Sequence, residues 1–334
     1  MWILRKNEHL LIHALYADDF LHFSNNKDTY SKFREQLKKR FDIKSGTVGV
    51  YLGNRIVVES EHFKISIDQS KYIQDILDKF DMGTSHPVGT PMTKRLSTSE
   101  RGEELSNQDK AAYRVMVGSL LYLACWTRPD IAFVVSELSR FVSEPGSTHL
   151  QAAKGVLRYL KGTQDLGLKY TRPSSDLLNQ LWGCVDSDWA GCVDTRKSTT
   201  GYVLMLNGAA ISWKSKRQNV VALSSAEAEF MAASTLVQEV IYIRKLLDNL
   251  GFTQNRGTEV GEDNRTCIAW SEGSVGGSDR AKHIDLRLHF VHQAVQDKII
   301  SLRSIKSEDN IADLLTKPLA EPAFLVLRKQ LMGL

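Results

Sequence analysis

A chain of 334 residues has room for two or three domains. With 42% hydrophobic and 25% charged residues it has the make-up of a soluble globular protein, and a net charge of +4 permits nucleic-acid binding without demanding it. The four cysteines, Cys125, Cys184, Cys192 and Cys267, form no CxxC pair, which disfavours a zinc ribbon and a disulfide framework and fits a reducing intracellular compartment. No apolar run reaches the ~18 residues of a membrane span, and the first residues lack a signal-peptide layout.

From Glu8 to Ser24 apolar residues alternate around the polar tip Ala17-Asp18-Asp19, which predicts a β-hairpin. Tyr30, Phe33, Leu37 and Phe41 then recur at helical spacing. A second hairpin pattern turns near Glu59 to His62, and Ser70 to Phe80 reads as an amphipathic helix. Gly83 to Gln108, with Pro87 and Pro91 among many Ser and Thr residues, reads as a linker. Helical patterns resume over Asp109–Ala124, Pro129–Val142 and His149–Leu160, and Thr171 to Gln180 forms a second polar break.

Beyond that break the pattern changes to strands. LWGCVDSDW, TTGYVLMLNG and AAISWKSK predict three strands in succession, with Asn207-Gly208 as the turn between the last two. A long helix is expected from Ser224 to about Leu250. A short strand ending near Asp263 follows, and then two or three helices around the strand IISLRSI. Three antiparallel strands followed by alternating helices and strands predict a mixed sheet in an α/β domain.

Several carboxylates stand out. Ser224 and Glu227 form an S-x-x-E capping box, and Glu227 falls on a face with Ser234, Gln238 and Lys245 that reads as solvated. Glu229 shares the apolar stripe of Ala233, Leu236, Val240 and Leu247, where a carboxylate must be paired, metal-bound or protonated unless it reaches solvent at the helix end. Asp186 and Asp188 lie one pleat apart at a strand end, as a metal site or an exposed turn would place them. Asp263 is either a ligand or a helix N-cap, and Asp313 by itself reads as a surface acid. Together Asp186, Glu229, Asp263 and Asp313 can converge at one end of a mixed sheet. Clustered carboxylates need cations between them, and hard oxygen donors select Mg²⁺ or Mn²⁺. Two such ions ~3.5–4 Å apart suit phosphodiester hydrolysis.

VDSDWAG, DTRKSTTGYV, ISWKSKRQ, VALSSAEAEFMA, EDN, KHIDLRLHF and ADLLTKPL, in this order, resemble the RNase H domain of a copia-type LTR retrotransposon Pol polyprotein. Upstream, YADD resembles the reverse-transcriptase active-site hairpin. YLGNRI, SKYIQDILDKF, TPM, YRVMVGSLLYLACWTRPDIAF and AAKGVLRYLKGT resemble the rest of that family's C-terminal polymerase region. The resemblance runs from about Leu10 to Leu331.

The resemblance implies an RNase H-like mixed five-stranded sheet with flanking helices over residues 177–320. A partial reverse-transcriptase palm over 1–95 and a helical thumb or connection region over 96–176 would precede it, and a C-terminal tail helix over 321–334 would follow. It implies two Mg²⁺ or Mn²⁺ ions on Asp186, Glu229, Asp263 and Asp313, and cleavage of the RNA strand of an RNA–DNA hybrid. Asp186 and Asp263 would hold both ions or orient the attacking water, and Glu229 would serve the leaving-group side. His283 would assist proton transfer or product release, or is simply a surface histidine.

Asp18 and Asp19 resemble the polymerase's metal-binding acids, with Ala17 where the family usually has Val. A further palm acid and the fingers are not recognisable, so no DNA synthesis is expected from this chain alone. Lys214, Lys216, Arg217 and Gln218 form a basic cluster for nucleic-acid phosphates, with a solvated loop as the other reading. Trp189 and Trp213 either line the hybrid groove or pack in the core, and Lys154, Arg158 and Lys161 would grip the duplex in an intact polyprotein. His289 and His292 have helical spacing but no third ligand, which argues against zinc. The expected partners are an RNA–DNA hybrid and the rest of a Pol polyprotein, with no membrane, in cytoplasm, virus-like particle or nucleus. An inactive or co-opted nucleic-acid-binding relic is the alternative.

Overall fold

The computed structural model describes residues 2–6, 8–44, 46, 48–173, 177–273 and 282–334, those at 282–285 by their backbone alone. Three sheets organise them. The first is antiparallel: β1 (Trp2–Lys6), β2 (His9–Tyr16) and β3 (Asp19–Ser24). The expected hairpin is β2 and β3, closed by Ala17 and Asp18, with Ala17 in the left-handed region at φ 47°. Strand β1 was not legible in the charged sequence around it. Helix α1 (Lys27–Lys38) follows, its first turn capped by Asn26, whose side chain accepts from the Thr29 amide at 2.8 Å.

The second sheet joins β4 (Val50–Tyr51), β5 (Asn54–Glu59) and β6 (Lys64–Asp68) to β7 (Leu168–Thr171), about a hundred residues later. Between β6 and β7 lie α2 (Ser70–Lys79), α3 (Asn107–Trp126), α4 (Ala132–Ser139) and α5 (Ser147–Gly162). The third sheet has the order β10-β9-β8-β11-β12. Here β8 (Trp182–Asp188), β9 (Thr199–Leu206) and β10 (Ala209–Arg217) are antiparallel, while β11 (Thr258–Glu262) and β12 (Ile300–Ser304) run parallel to β8. This is the mixed five-stranded sheet expected. Its β9–β10 turn is Asn207-Gly208, both at positive φ. Helices α6 (Ser225–Asn249), α7 (Arg265–Ser271), α8 (Lys282–Gln296) and α9 (Glu321–Met332) complete the chain.

Strand β8 is buried on both faces, because each face of the sheet carries its own core. On one side Val185, Tyr202, Leu204 and Val260 pack under Phe230, Leu236, Val237 and Val240 of α6. On the other, Cys184, Val203, Met205 and Ala210 meet the helices α2–α5, the turn Ile311–Leu315 and α9 in one continuous core. The stretch Gly83 to Gln108, which reads as a linker, does not hang free, and its last two residues already belong to α3. Met92 and Leu96 are buried, and Arg95 reaches the edge of β8. No helix of the described residues is long and apolar enough to cross a membrane.

Candidate metal centre

Strand β8 delivers Asp186 to one end of the sheet, directly opposite Gly201 of β9. The start of α6 supplies Glu229, and the residue after β11 is Asp263. One oxygen from each of these three carboxylates lies within 4.8 Å of the others. Asp186 and Glu229 are buried and Asp263 half-buried.

Local sequence explains each position. Ser224 caps α6 by accepting from the Glu227 amide at 3.2 Å, and Glu227 accepts from the Leu223 amide at 2.9 Å. The capping pair therefore forms, but Glu227 is buried rather than solvated, because its carboxylate turns back over the helix start. That start sets Glu229 on the apolar face, as its stripe predicts. At the next element Asn264, not Asp263, caps α7, accepting from the Cys267 amide at 3.0 Å. This leaves Asp263 free to join the cluster, where it accepts from the Ser307 hydroxyl.

Asp313 sits in the turn Ile311–Leu315, a short 3-10 segment buried against the sheet. Asn310 anchors that turn by donating to the Val185 carbonyl at 2.9 Å. Gly201 permits the approach, since a Cβ there would lie 2.5 Å from the Thr316 methyl carbon and 3.0 Å from the Ala312 carbonyl oxygen. Asp313 is buried and is ion-paired to Lys317 at 2.8 Å. It lies outside the three-carboxylate group at metal-bridging distance.

Burial pushes the Asp186 carboxyl above its ordinary range, against the pull of Lys317 and the Thr316 hydroxyl. Burial and then Asp186 raise Asp313 to about 7. Glu229 is driven well above the ordinary carboxylate range, by burial first and then by the charges of Glu262, Asp186 and Asp263. Burial opposes the charge on Lys317, but Asp186 and Asp313 outweigh it and raise its pKa.

Glu262 was missed in the sequence. It is 0% exposed, accepts from the Asn264 amide at 2.9 Å, and its pKa rises to about 8 through burial. The available signal was its place two residues after Val260 on β11, hence on the same inward pleat face. Lys317 and Thr316 were missed too, although Lys317 stands four residues after Asp313 on the turn that follows.

The donor set fits a hard divalent cation. Three carboxylates converge, all donors are oxygens, and one buried oxygen of Glu229 accepts no hydrogen bond. His283 has its side chain outside the described residues. His292 is engaged by the Ser271 carbonyl at 3.0 Å and by Gln296 at 2.8 Å, which leaves it no ligand role.

Lys214, Lys216 and Arg217 line a groove of about 440 Å³ together with Arg287 of α8. Gln218 is different: it is buried, and its amide nitrogen donates to Ser187, Thr200 and the Ala228 carbonyl. It ties β8 and β9 to α6 instead of offering that nitrogen to a ligand. Trp189, half-exposed, donates to the Ala222 carbonyl at 3.0 Å, and Trp213 to the Ala124 carbonyl of α3 at 2.7 Å. Asp18 and Asp19 lie at the tip of the β2–β3 hairpin, beside an apolar groove of about 1160 Å³ lined by Trp2, Leu11, Phe20 and Phe33. Among the described residues no third acid joins them at metal-bridging distance.

Residues 1–94 match the family described as reverse transcriptase (RNA-dependent DNA polymerase). The retrovirus-related Pol polyprotein from transposon TNT 1-94 of Nicotiana tabacum is 39% identical over 330 residues, covering 97% of this chain and 24% of that protein. A transposon Ty5-1 protein of Saccharomyces cerevisiae is 34% identical over 229 residues, covering 68% of this chain and 73% of its own length. The chain belongs to the Pol polyprotein family of copia-type retrotransposons, and spans about a quarter of the length of the Pol polyproteins it matches. Among solved structures, an RNase H1 isolated from compost covers 42% of the chain at 15% identity with a TM-score of 0.32, too low to define a shared fold.

Proposed function

We propose that this chain hydrolyses the RNA strand of RNA–DNA hybrids at the carboxylate cluster of its five-stranded sheet. The observation that carries this reading is the convergence of Asp186, Glu229 and Asp263, from three separate elements, to within 4.8 Å of one another. Two of the three are buried, and like charges so placed are stable only when protonated or matched by cations.

Asp186, Glu229 and Asp263 would hold Mg²⁺ or Mn²⁺ ions, with Asp313 completing the set from its turn. When bound, such ions activate water and neutralise charge developing on the phosphate. The chain's own residues do the rest. Asp186 and Asp263 accept hydrogen bonds from the attacking water and aim it at phosphorus. Water adds, the bond to the bridging 3′ oxygen breaks, and the RNA is left with a 3′-hydroxyl. Glu229 lies on the leaving-group side. Lys317, between Asp186 and Asp313, balances part of their negative charge. The groove of Lys214, Lys216, Arg217 and Arg287 offers four cations to the phosphate backbone. Recognition of RNA over DNA would use the 2′-hydroxyl, which is reached from the minor groove.

Asp18 and Asp19 stand as the polymerase counterpart, yet two acids with no third beside them among the described residues are a poor metal centre. No DNA synthesis is expected from this chain by itself.

The test is cleavage of the labelled RNA strand of a hybrid in Mg²⁺, for the wild type, Asp186→Asn and Glu229→Gln. The expected result is cleavage of the hybrid, sparing of single-stranded RNA, and loss of activity in both variants. A folded wild type that cleaves nothing in Mg²⁺ or Mn²⁺ would leave the nucleic-acid-binding relic as the better reading.

A further inference from the structure

The segment between α2 and α3 sends one guanidinium to the edge of the metal centre. The side chain of Arg95 is only 10% exposed. Its Nη1 donates to Oε1 of Glu137 on α4 at 3.1 Å, and its Nη2 donates both to Oδ2 of Asp188 and, at 2.5 Å, to the carbonyl oxygen of Thr316. The Phe133 ring lies 5.0 Å from the guanidinium carbon. Glu137, itself fully buried, takes Arg140 on the same oxygen, Oε1, at 2.6 Å. Thr316 has no exposed surface, and its hydroxyl donates to Oδ2 of Asp186. One residue, Thr316, therefore links Arg95 to a carboxylate of the metal cluster.

We propose that Arg95 is a positioning residue for this centre: by clamping the Thr316 peptide and Asp188 against α4, it fixes the direction in which Asp186 presents its oxygens. The proposal rests on the reading of Asp186 as a metal ligand, and it makes the helices upstream of the sheet part of the centre's framework. Three partners in different directions need a planar fork with several donors, which a lysine does not supply. The space is also closed around it. A Cβ on Gly191 would lie 1.9 Å from Oδ2 of Asp188 and 2.8 Å from Nη2 of Arg95. Outer partners of metal ligands act in this way, and their loss commonly costs about 10–100-fold in metal affinity or activity.

The experiment compares Mn²⁺ binding by titration calorimetry, and kcat and KM for hybrid cleavage, in the wild type, Arg95→Met, Arg95→Lys and Thr316→Val. Arg95→Met should weaken Mn²⁺ binding and lower kcat by about 10–100-fold while leaving KM for the hybrid unchanged. Arg95→Lys should recover only part of the loss, and Thr316→Val should reproduce it. A role confined to stability would lower the melting temperature without moving Mn²⁺ affinity in the folded protein, and that result overturns the proposal. If Arg95→Met does not fold, Thr316→Val and Gly191→Ala decide it: unchanged Mn²⁺ affinity in both rejects it. A wild type that binds Mn²⁺ but cleaves no hybrid defeats the nuclease reading alone, and the affinities still judge Arg95. A wild type that binds no Mn²⁺ defeats both.

Discussion

Glu262, at the end of β11, and Glu229, in the second turn of α6, are neighbours that each keep one carboxylate oxygen buried without a hydrogen bond. After burial, the charge of Glu262 is the largest influence raising Glu229. Glu262 itself rises to about 8 from an ordinary 4.5. In the metal-free protein the native state thus binds protons that the unfolded chain has released between those two values. That stabilisation is fully present below the lower value and is lost as pH rises through the upper one. The melting temperature measured in EDTA should fall as pH rises across this window. Excess Mg²⁺ should restore it near the top of the window, by about 2.7 kcal/mol at a hundred times Kd, and Glu229→Gln should abolish most of that gain. A melting temperature indifferent to Mg²⁺ would count against the metal centre.

Gly201, opposite Asp186 on β9, supports the site through the space that its missing side chain leaves. Its missing side chain admits the Thr316 methyl and the Ala312 carbonyl, which otherwise would meet a Cβ at 2.5 and 3.0 Å. Gly201→Ala should cost about 1–3 kcal/mol in urea unfolding, as overpacked positions do. It should also reduce hybrid cleavage by pushing the Thr316 hydroxyl off Asp186. Full activity in this variant would show that the turn has slack.

A second buried network holds the helical half together. Arg128, with no exposed surface, donates to both oxygens of Asp130 at 2.9 and 2.8 Å, and the Tyr159 hydroxyl adds a bond to Asp130 at 2.5 Å. Arg328 of α9 then donates to that hydroxyl at 3.0 Å. Arg128→Leu strands a buried carboxylate and should cost about 3–5 kcal/mol. Tyr159→Phe removes two bonds of that hydroxyl, the one to Asp130 and the one from Arg328, and should cost at least about 1.5–3 kcal/mol. Chemical denaturation of the two variants checks both the order and the sizes.

The N-terminal hairpin should respond to pH in the opposite sense to the acid cluster. His13 and His22 are cross-strand partners, with their Nδ1 atoms 2.9 Å apart. Burial lowers both pKa values from 6.5, and the charge of His13 further lowers that of His22. Below 6.5 the unfolded hairpin takes up protons that the folded one refuses, so its stability falls as pH drops through that point. Amide exchange over residues 9–24, corrected for intrinsic rates, should quicken on acidification, and His13→Leu should reduce the effect, leaving the part that burial of His22 causes.

The basic groove makes a prediction about salt. Replacing Lys214, Lys216 and Arg217 by Ala should weaken hybrid binding and flatten its dependence on salt. Each lost phosphate contact should reduce the slope of log K against log salt by about 0.9. An unchanged slope would mean that these side chains point into solvent.

The sequence by itself determined which faces turn inward. Alternation placed the three strands around Asn207-Gly208. The period of α6 put Glu229 among Ala233, Leu236 and Val240, and the acids in chain order pointed to one carboxylate cluster. Period reports only that a side chain is turned inward, and is silent on what stands opposite. Whether Asp263 or Asn264 capped α7 could not be told from spacing, because either side chain can accept from a first-turn amide. Glu227 looked solvated because the helical wheel does not show a carboxylate folding back to the Leu223 amide. Arg95 and Thr316 escaped for a deeper reason. Arg95 meets Asp188 and Thr316 across 93 and 221 residues of chain, and Thr316 meets Asp186 across 130. Only tertiary structure decides such pairs, since packing two cores on opposite faces of one sheet creates neighbours that no local pattern records.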